Sequence, residues 1–266
     1  MKLEIIENDL SGHEQKETIL FVHGAYHGAW CWKENFFPYF EKNGYKCYAV
    51  SLRGHGESEG REQINDFSID DYVQDVVETI DSLECKPILI GHSMGGAVVQ
   101  KAAFLHKDKI AGMVLLASVP PKGMLLSLLR LLVKNSKKAQ VLMNYNPEKD
   151  YAMIGSLFFS EEMDKDEVEK YSKKMIAESA LASRQTVSKI VSSNVLPENM
   201  PILIMGAKKD VMLTNGQIKK IGKFYHKDII WLEKSGHDIM LDIEWKNAAE
   251  TICAYLDNMI KKRTKK

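Results

Sequence analysis

Three features of the 266-residue sequence predict an α/β fold with a mostly parallel central sheet and helices on both faces. Short apolar runs alternate with longer amphipathic segments, turn residues bound the runs, and one run ends in the glycine-rich stretch ILIGHSMGGAVVQ (88–100). Continuous apolar runs suit strands buried on both faces, and their alternation with helices is the pattern of crossover connections between parallel strands.

The predicted strands are TILFVHG (18–24), KCYAVSL (46–52), KPILIGH (86–92), AGMVLLAS (111–118), MPILIMGA (200–207) and KDIIWLE (227–233). Between them, SIDDYVQDVVETIDSL reads as a helix capped by Ser68, with acids in its first turn and Tyr72, Val73, Val76, Val77, Ile80 and Leu83 along one stripe. MGGAVVQKAAFLHK and the terminal EWKNAAETICAYLDNMIKK read similarly. The rhythm breaks between Pro120 and Asn199, where GMLLSLLRLLVKN, YAMIGSLFFSEEM and KDEVEKYSKKMIAESALASRQTVSKIV look helical and no strand is convincing. The expected organisation is a core of residues 1–119 and 200–266 carrying an inserted helical segment, 120–199. With 45% hydrophobic residues the chain is long enough for one substantial core.

Composition excludes several classes. Lys plus Arg equal Asp plus Glu at 36 each, so no global field favours nucleic acid or an anionic membrane. Cys31, Cys47, Cys85 and Cys253 form no CxxC pair and no metal-like spacing with histidine, so no disulfide framework, no metal and no cofactor is expected. The first residues are charged and lack an apolar signal core, and no run approaches the roughly 18–20 apolar residues that span a bilayer. A soluble cytoplasmic protein with no stable membrane insertion follows as the expectation, with monomer and homodimer both open.

The serine in the glycine-rich stretch carries the chemistry. Gly91-His92-Ser93-Met94-Gly95 fits G-x-S-x-G after an apolar strand and before a helix, the setting of a nucleophile elbow. A serine hydroxyl needs a base and an acid, in the chain order serine, acid, histidine. Asp210 follows the strand PILIMGA, and His237 follows the strand IIWLE, both where a carboxyl-edge site requires them. His237 would take the Ser93 proton, and Asp210 would fix the imidazole tautomer. Asp238, Asp242 and Glu233 lie nearer His237 in sequence, but Asp238 is its immediate neighbour, and adjacent side chains normally leave the backbone in different directions; Asp210 is preferred. His13, His106 and His226 sit in polar contexts that suit the surface, and His92 suits packing. Oxyanion donors are expected from the backbone N–H of Met94 and, in the loop after ILFV, of Ala25.

These motifs resemble α/β-hydrolase-fold serine hydrolases over nearly everything except the insertion. FVHGAYHGAWCW resembles the oxyanion loop of the plant methylesterase and hydroxynitrile lyase branch, whereas RGHGESEGR and GHSMGG resemble monoacylglycerol lipases and lysophospholipases. The resemblance implies a triad of Ser93, Asp210 and His237, an oxyanion hole at Ala25 and Met94, and an insertion that caps the pocket. A lyase of this branch relies on a lysine near the triad histidine, and Lys234 is the candidate here. Arg53, Gly54, His55 and Gly56 read as a structural turn; His27 either lines the pocket or caps its loop.

The insertion holds the substrate information. In GMLLSLLRLLVKN, Leu125, Leu128, Leu129 and Leu132 recur at helical spacing while Leu126, Leu131 and Val133 widen the apolar arc, so part of it packs and part is available to roof an acyl pocket with Phe158, Phe159 and Met163. The leading expectation is a carboxylic ester hydrolase acting without cofactor on an apolar small-molecule ester or monoacyl lipid. A cofactor-free lyase and a non-catalytic ligand-binding member of the fold are the alternatives.

Overall fold

The computed structural model describes the chain except residues 11–15, 126–128, 131, 132, 134, 135, 144, 194, 195, 197–199 and 264–266. Among the described residues the strands are β1 (Glu4–Glu7), β2 (Thr18–Val22), β3 (Lys46–Ser51), β4 (Ile88–His92), β5 (Gly112–Leu116), β6 (Ile202–Ala207) and β7 (Ile229–Leu232). They form one sheet in the order β1-β3-β2-β4-β5-β6-β7, in which only β1 runs antiparallel to its neighbour. Six strands coincide with the predicted apolar runs. The sequence reading omits β1, whose segment EIIE is short, charged at both ends and alternately exposed. A half-exposed edge strand lacks the apolar run that betrays a central one.

Side-chain alternation along the strands splits the core into two layers. Ile19, Phe21, Ile88, Ile90 and Val114 face one side, where they meet α1 (Trp30–Lys33), α2 (Phe36–Lys42) and the terminal helix, here α10 (Trp245–Arg263). Leu20, Val22, Leu89, Met113 and Leu115 face the other, covered by α3 (Ile69–Asp81), α4 (Ser93–Leu105) and α9 (Asn215–Tyr225). The α3 start is the one the sequence predicts: Ser68 and Asp71 form a reciprocal capping box, satisfying two N–H groups that the helix geometry leaves unpaired.

Between β5 and β6 the chain makes α5 (Ser136–Met143), α6 (Pro147–Phe158), α7 (Lys165–Ser172) and α8 (Ala180–Thr186), and no strand among the described residues. Ser160 binds Asp242 through both its N–H and its hydroxyl at 2.7 Å, and the Phe158 carbonyl accepts the Asp238 N–H at 2.9 Å. The helical segment is thus pinned to the loop that follows β7.

In this strand order β3 lies on one side of β2 and β4 on the other, so the chain reverses its direction of travel across the sheet between them. The loops leaving the carboxyl ends of β2 and β4 therefore diverge, which opens a crevice there.

Candidate active site

The turn after β4 explains its own glycines. Ser93 sits at φ 51°, in the left-handed region a non-glycine residue rarely adopts, which lifts its side chain off the end of the sheet. A Cβ on Gly91 would lie 2.6 Å from the Gly95 carbonyl oxygen, and one on Gly95 would strike the carbonyls of Val22 and His23. These two positions let α4 cross close to β4 and to the loop after β2.

Two other loops meet Ser93. Asp210 leaves the end of β6 and His237 follows β7. His237 Nδ1–H donates to Asp210 Oδ2 at 2.8 Å, which leaves Nε2 to accept the Ser93 hydroxyl at 2.8 Å. Asp210 is held in turn, because its other oxygen accepts the N–H groups of Met212 and Leu213 at 2.7 and 2.8 Å. Both the Asp210 carboxylate and the His237 ring are removed from solvent. Burial alone depresses the His237 pKa, but the Asp210 charge and hydrogen bond, with the Asp238 charge nearby, outweigh it and raise the pKa above the ordinary histidine value.

Asp238 turns the other way. Its Oδ2 accepts His27 Nε2–H at 2.9 Å, and His27 Nδ1–H donates to the Ala25 carbonyl at 2.7 Å. His92 lies beside them, its Nε2–H donating to the His237 carbonyl at 2.9 Å. Burial, then the neighbouring His237, pushes its pKa down to about 3. It is neutral and serves as packing, as its place in the elbow suggests.

The expected oxyanion donors border the same space. Ala25, Met94, Ser93 and His237 all line a cavity of about 360 Å³. Among the described residues neither the Ala25 nor the Met94 N–H is taken by another group. The carbonyl of the peptide that carries the Ala25 N–H belongs to Gly24, and it accepts His23 Nδ1–H at 2.8 Å, so that peptide has a fixed plane.

The wall residues differ in part from expectation. Phe158 lines the cavity, edge-on to His237 with ring centroids 5.4 Å apart. Phe159 instead packs against Tyr171, away from the cavity, and His27 is buried behind it, stacked on Trp30. Leu129 is 48% exposed, while Leu128 and Leu132 lie outside the described residues. The apolar wall comes from Val119, Met124, Leu142, Val187, Met212 and Leu213. Lys234 faces solvent, 64% exposed and 3.9 Å from Glu162. Sequence reasoning missed Tyr26 and Glu178, which also line the cavity; Tyr26 stands in the stretch FVHGAYHGAWCW with no role of its own there, Glu178 stands in no motif, and only the packing of the helices between β5 and β6 on the β2 loop brings the two together.

The model of the Alpha/beta hydrolase family matches residues 19–250. The chain belongs to that family. Methylesterase 3 of Arabidopsis thaliana is 32% identical over 114 residues, which are 42% of this chain and 43% of that protein. A pyrethroid hydrolase of Sphingobium wenxiniae is 33% identical over 101 residues, 38% of this chain and 35% of the relative. The chain thus spans under half the length of these curated relatives. In structure it resembles the monoacylglycerol lipase of Paleococcus ferrophilus, with a TM-score of 0.71 over 97% of this chain and 100% of the other at 18% identity, a likeness of fold alone. No described helix of this α/β hydrolase is long and apolar enough to cross a membrane.

Proposed function

We propose that the chain is a carboxylic ester hydrolase that works through an acyl-enzyme on Ser93, with residues 120–199 acting as a cap that supplies part of the acyl wall. The observation that carries this reading is the unbroken hydrogen-bond chain from Asp210 through His237 to Ser93, ending in a largely apolar cavity. Ser93 Oγ attacks the ester carbonyl carbon as its proton passes to His237 Nε2. The Ala25 and Met94 N–H groups receive the oxyanion, and His237 returns the proton to the departing alkoxide. Water then attacks the acyl-enzyme by the same route, so the chemistry requires no metal and no cofactor. The names of the relatives, a methylesterase and a pyrethroid hydrolase, agree with ester substrates. The lyase alternative draws no support, since among the described residues no lysine lines the cavity and Lys234 is exposed beside Glu162.

The test is a panel of p-nitrophenyl esters of increasing acyl length together with a fluorophosphonate probe. The expected result is hydrolysis and stoichiometric labelling that Ser93→Ala abolishes. A chain that neither turns over any ester nor labels would be a binding protein instead.

A further inference from the structure

Tyr26, the residue after the proposed oxyanion donor Ala25, is held in an improbable conformation. Its φ is 70°, a region that a residue with a Cβ keeps only when its surroundings over-determine it. The surroundings come from the inserted segment. Glu178 Oε2 accepts the Tyr26 N–H at 3.3 Å, the Ile176 N–H donates to the Tyr26 carbonyl at 2.9 Å, and the Tyr26 hydroxyl donates to the Leu142 carbonyl at 2.6 Å. The peptide that Glu178 grips is the one joining Ala25 to Tyr26. Its carbonyl end accepts His27 Nδ1–H, and the preceding peptide is fixed by His23, so both peptide planes flanking the Ala25 Cα have assigned orientations.

Glu178 borders the cavity, yet its acceptor capacity is fully used. Oε1 takes the Tyr72 hydroxyl at 2.8 Å and the Ser179 N–H at 2.6 Å; Oε2 takes His55 Nε2–H at 2.9 Å besides Tyr26. Four donors match the roughly four lone-pair sites of a carboxylate, leaving none for a substrate. Burial pushes this carboxyl up, but the His55 charge and the hydrogen bonds from His55 and Tyr72 hold it below the ordinary range, so it is ionised. We infer that Glu178 is a positioning residue, a cap carboxylate that locks Tyr26 and thereby aims the Ala25 N–H at the developing oxyanion. The inference rests on the ester-hydrolase reading above. It adds that the cap completes the oxyanion hole as well as roofing the cavity, so that cap placement and catalytic competence are coupled.

Glu178→Gln tests this at constant volume. An amide has one oxygen for four donors, so its NH₂ must face two of them whichever way it is turned. The expected result is a kcat lowered ~10- to 100-fold, with KM within about threefold. An alkyl trifluoromethyl ketone, which forms an oxyanion on Ser93, should lose affinity by a similar factor, while the matching secondary alcohol, which forms none, binds unchanged. Tyr72→Phe removes a different donor to Glu178 and spares the Tyr26 bond, so it should leave kcat within about threefold. If Glu178→Gln does not fold, Glu178→Asp keeps the charge, withdraws the carboxylate from Tyr26 and is read in the same way. An unchanged kcat, an equal loss for ketone and alcohol, or a Tyr72→Phe loss as large as that of the Glu178 variant would overturn the inference. A wild-type protein that binds the ketone no tighter than the alcohol would instead bring down the serine reading, and the inference with it.

Discussion

Two buried histidine–carboxylate pairs lie back to back around residue 237. On the cavity side, His237 meets Asp210 at 2.8 Å; on the far side, His27 meets Asp238 at 2.9 Å. The bond lengths and the burial are alike. What differs is the second ring nitrogen: that of His237 faces the Ser93 hydroxyl in an open cavity, while that of His27 is spent on the Ala25 carbonyl. A carboxylate beside a histidine is therefore no sufficient sign of a catalytic base. The nitrogen left over must reach a nucleophile where a substrate can stand.

The comparison breaks first, if it is wrong, at Ser93. Ser93→Ala should lower kcat by ~10⁴- to 10⁶-fold, because members of a mutually dependent set fail together, and retention of a tenth of the activity would remove His237 from its assigned role. The two aspartates should then separate. Asp210→Asn should cost ~10³- to 10⁴-fold in kcat by losing the acceptor that fixes the His237 tautomer. Asp238→Asn should cost less than about tenfold in kcat, but weaken the fold by about 1–3 kcal/mol through the His27 bond, as read by urea unfolding. A larger kinetic loss for Asp238 would reverse the assignment of the two pairs.

A pH profile sharpens the distinction. The proposed base is neutral His237, whose pKa is raised, so activity should fall as pH drops through a limb centred above the ordinary ~6.5. Because the Asp238 charge contributes to that rise, Asp238→Asn should move the limb of kcat/KM toward lower pH without abolishing it. A profile flat between about pH 5 and 8 would contradict a histidine base. The smallest effect belongs to the wall. Each substrate methylene buried there should gain up to ~0.8 kcal/mol, or roughly fourfold in kcat/KM, until the cavity is full. Leu142→Ser should flatten this slope while sparing acetate esters; Leu129→Ser, at a half-exposed position, should not.

The amino-acid sequence by itself determined the central elements and the chain positions of the candidate site residues. Central strands, the Ser68 cap, the bend at Ser93 and the strand-end positions of Asp210 and His237 are legible because they depend on local pattern: apolar runs, capping residues, glycines where backbone must pass close. Only the tertiary structure decided which of the acids near His237 turns toward it, since the direction of a loop side chain depends on contacts far away in sequence, such as those of Asp210 with Met212 and Leu213 and of Asp238 with His27. It also decided the wall. Leu129 belongs to an apolar helical pattern yet stands half exposed, while Tyr26 and Glu178, 152 positions apart and linked by no shared motif, meet beside Ala25. Periodicity tells that a face is apolar, not what will be laid against it, and a buried carboxylate is defined by donors that only folding assembles.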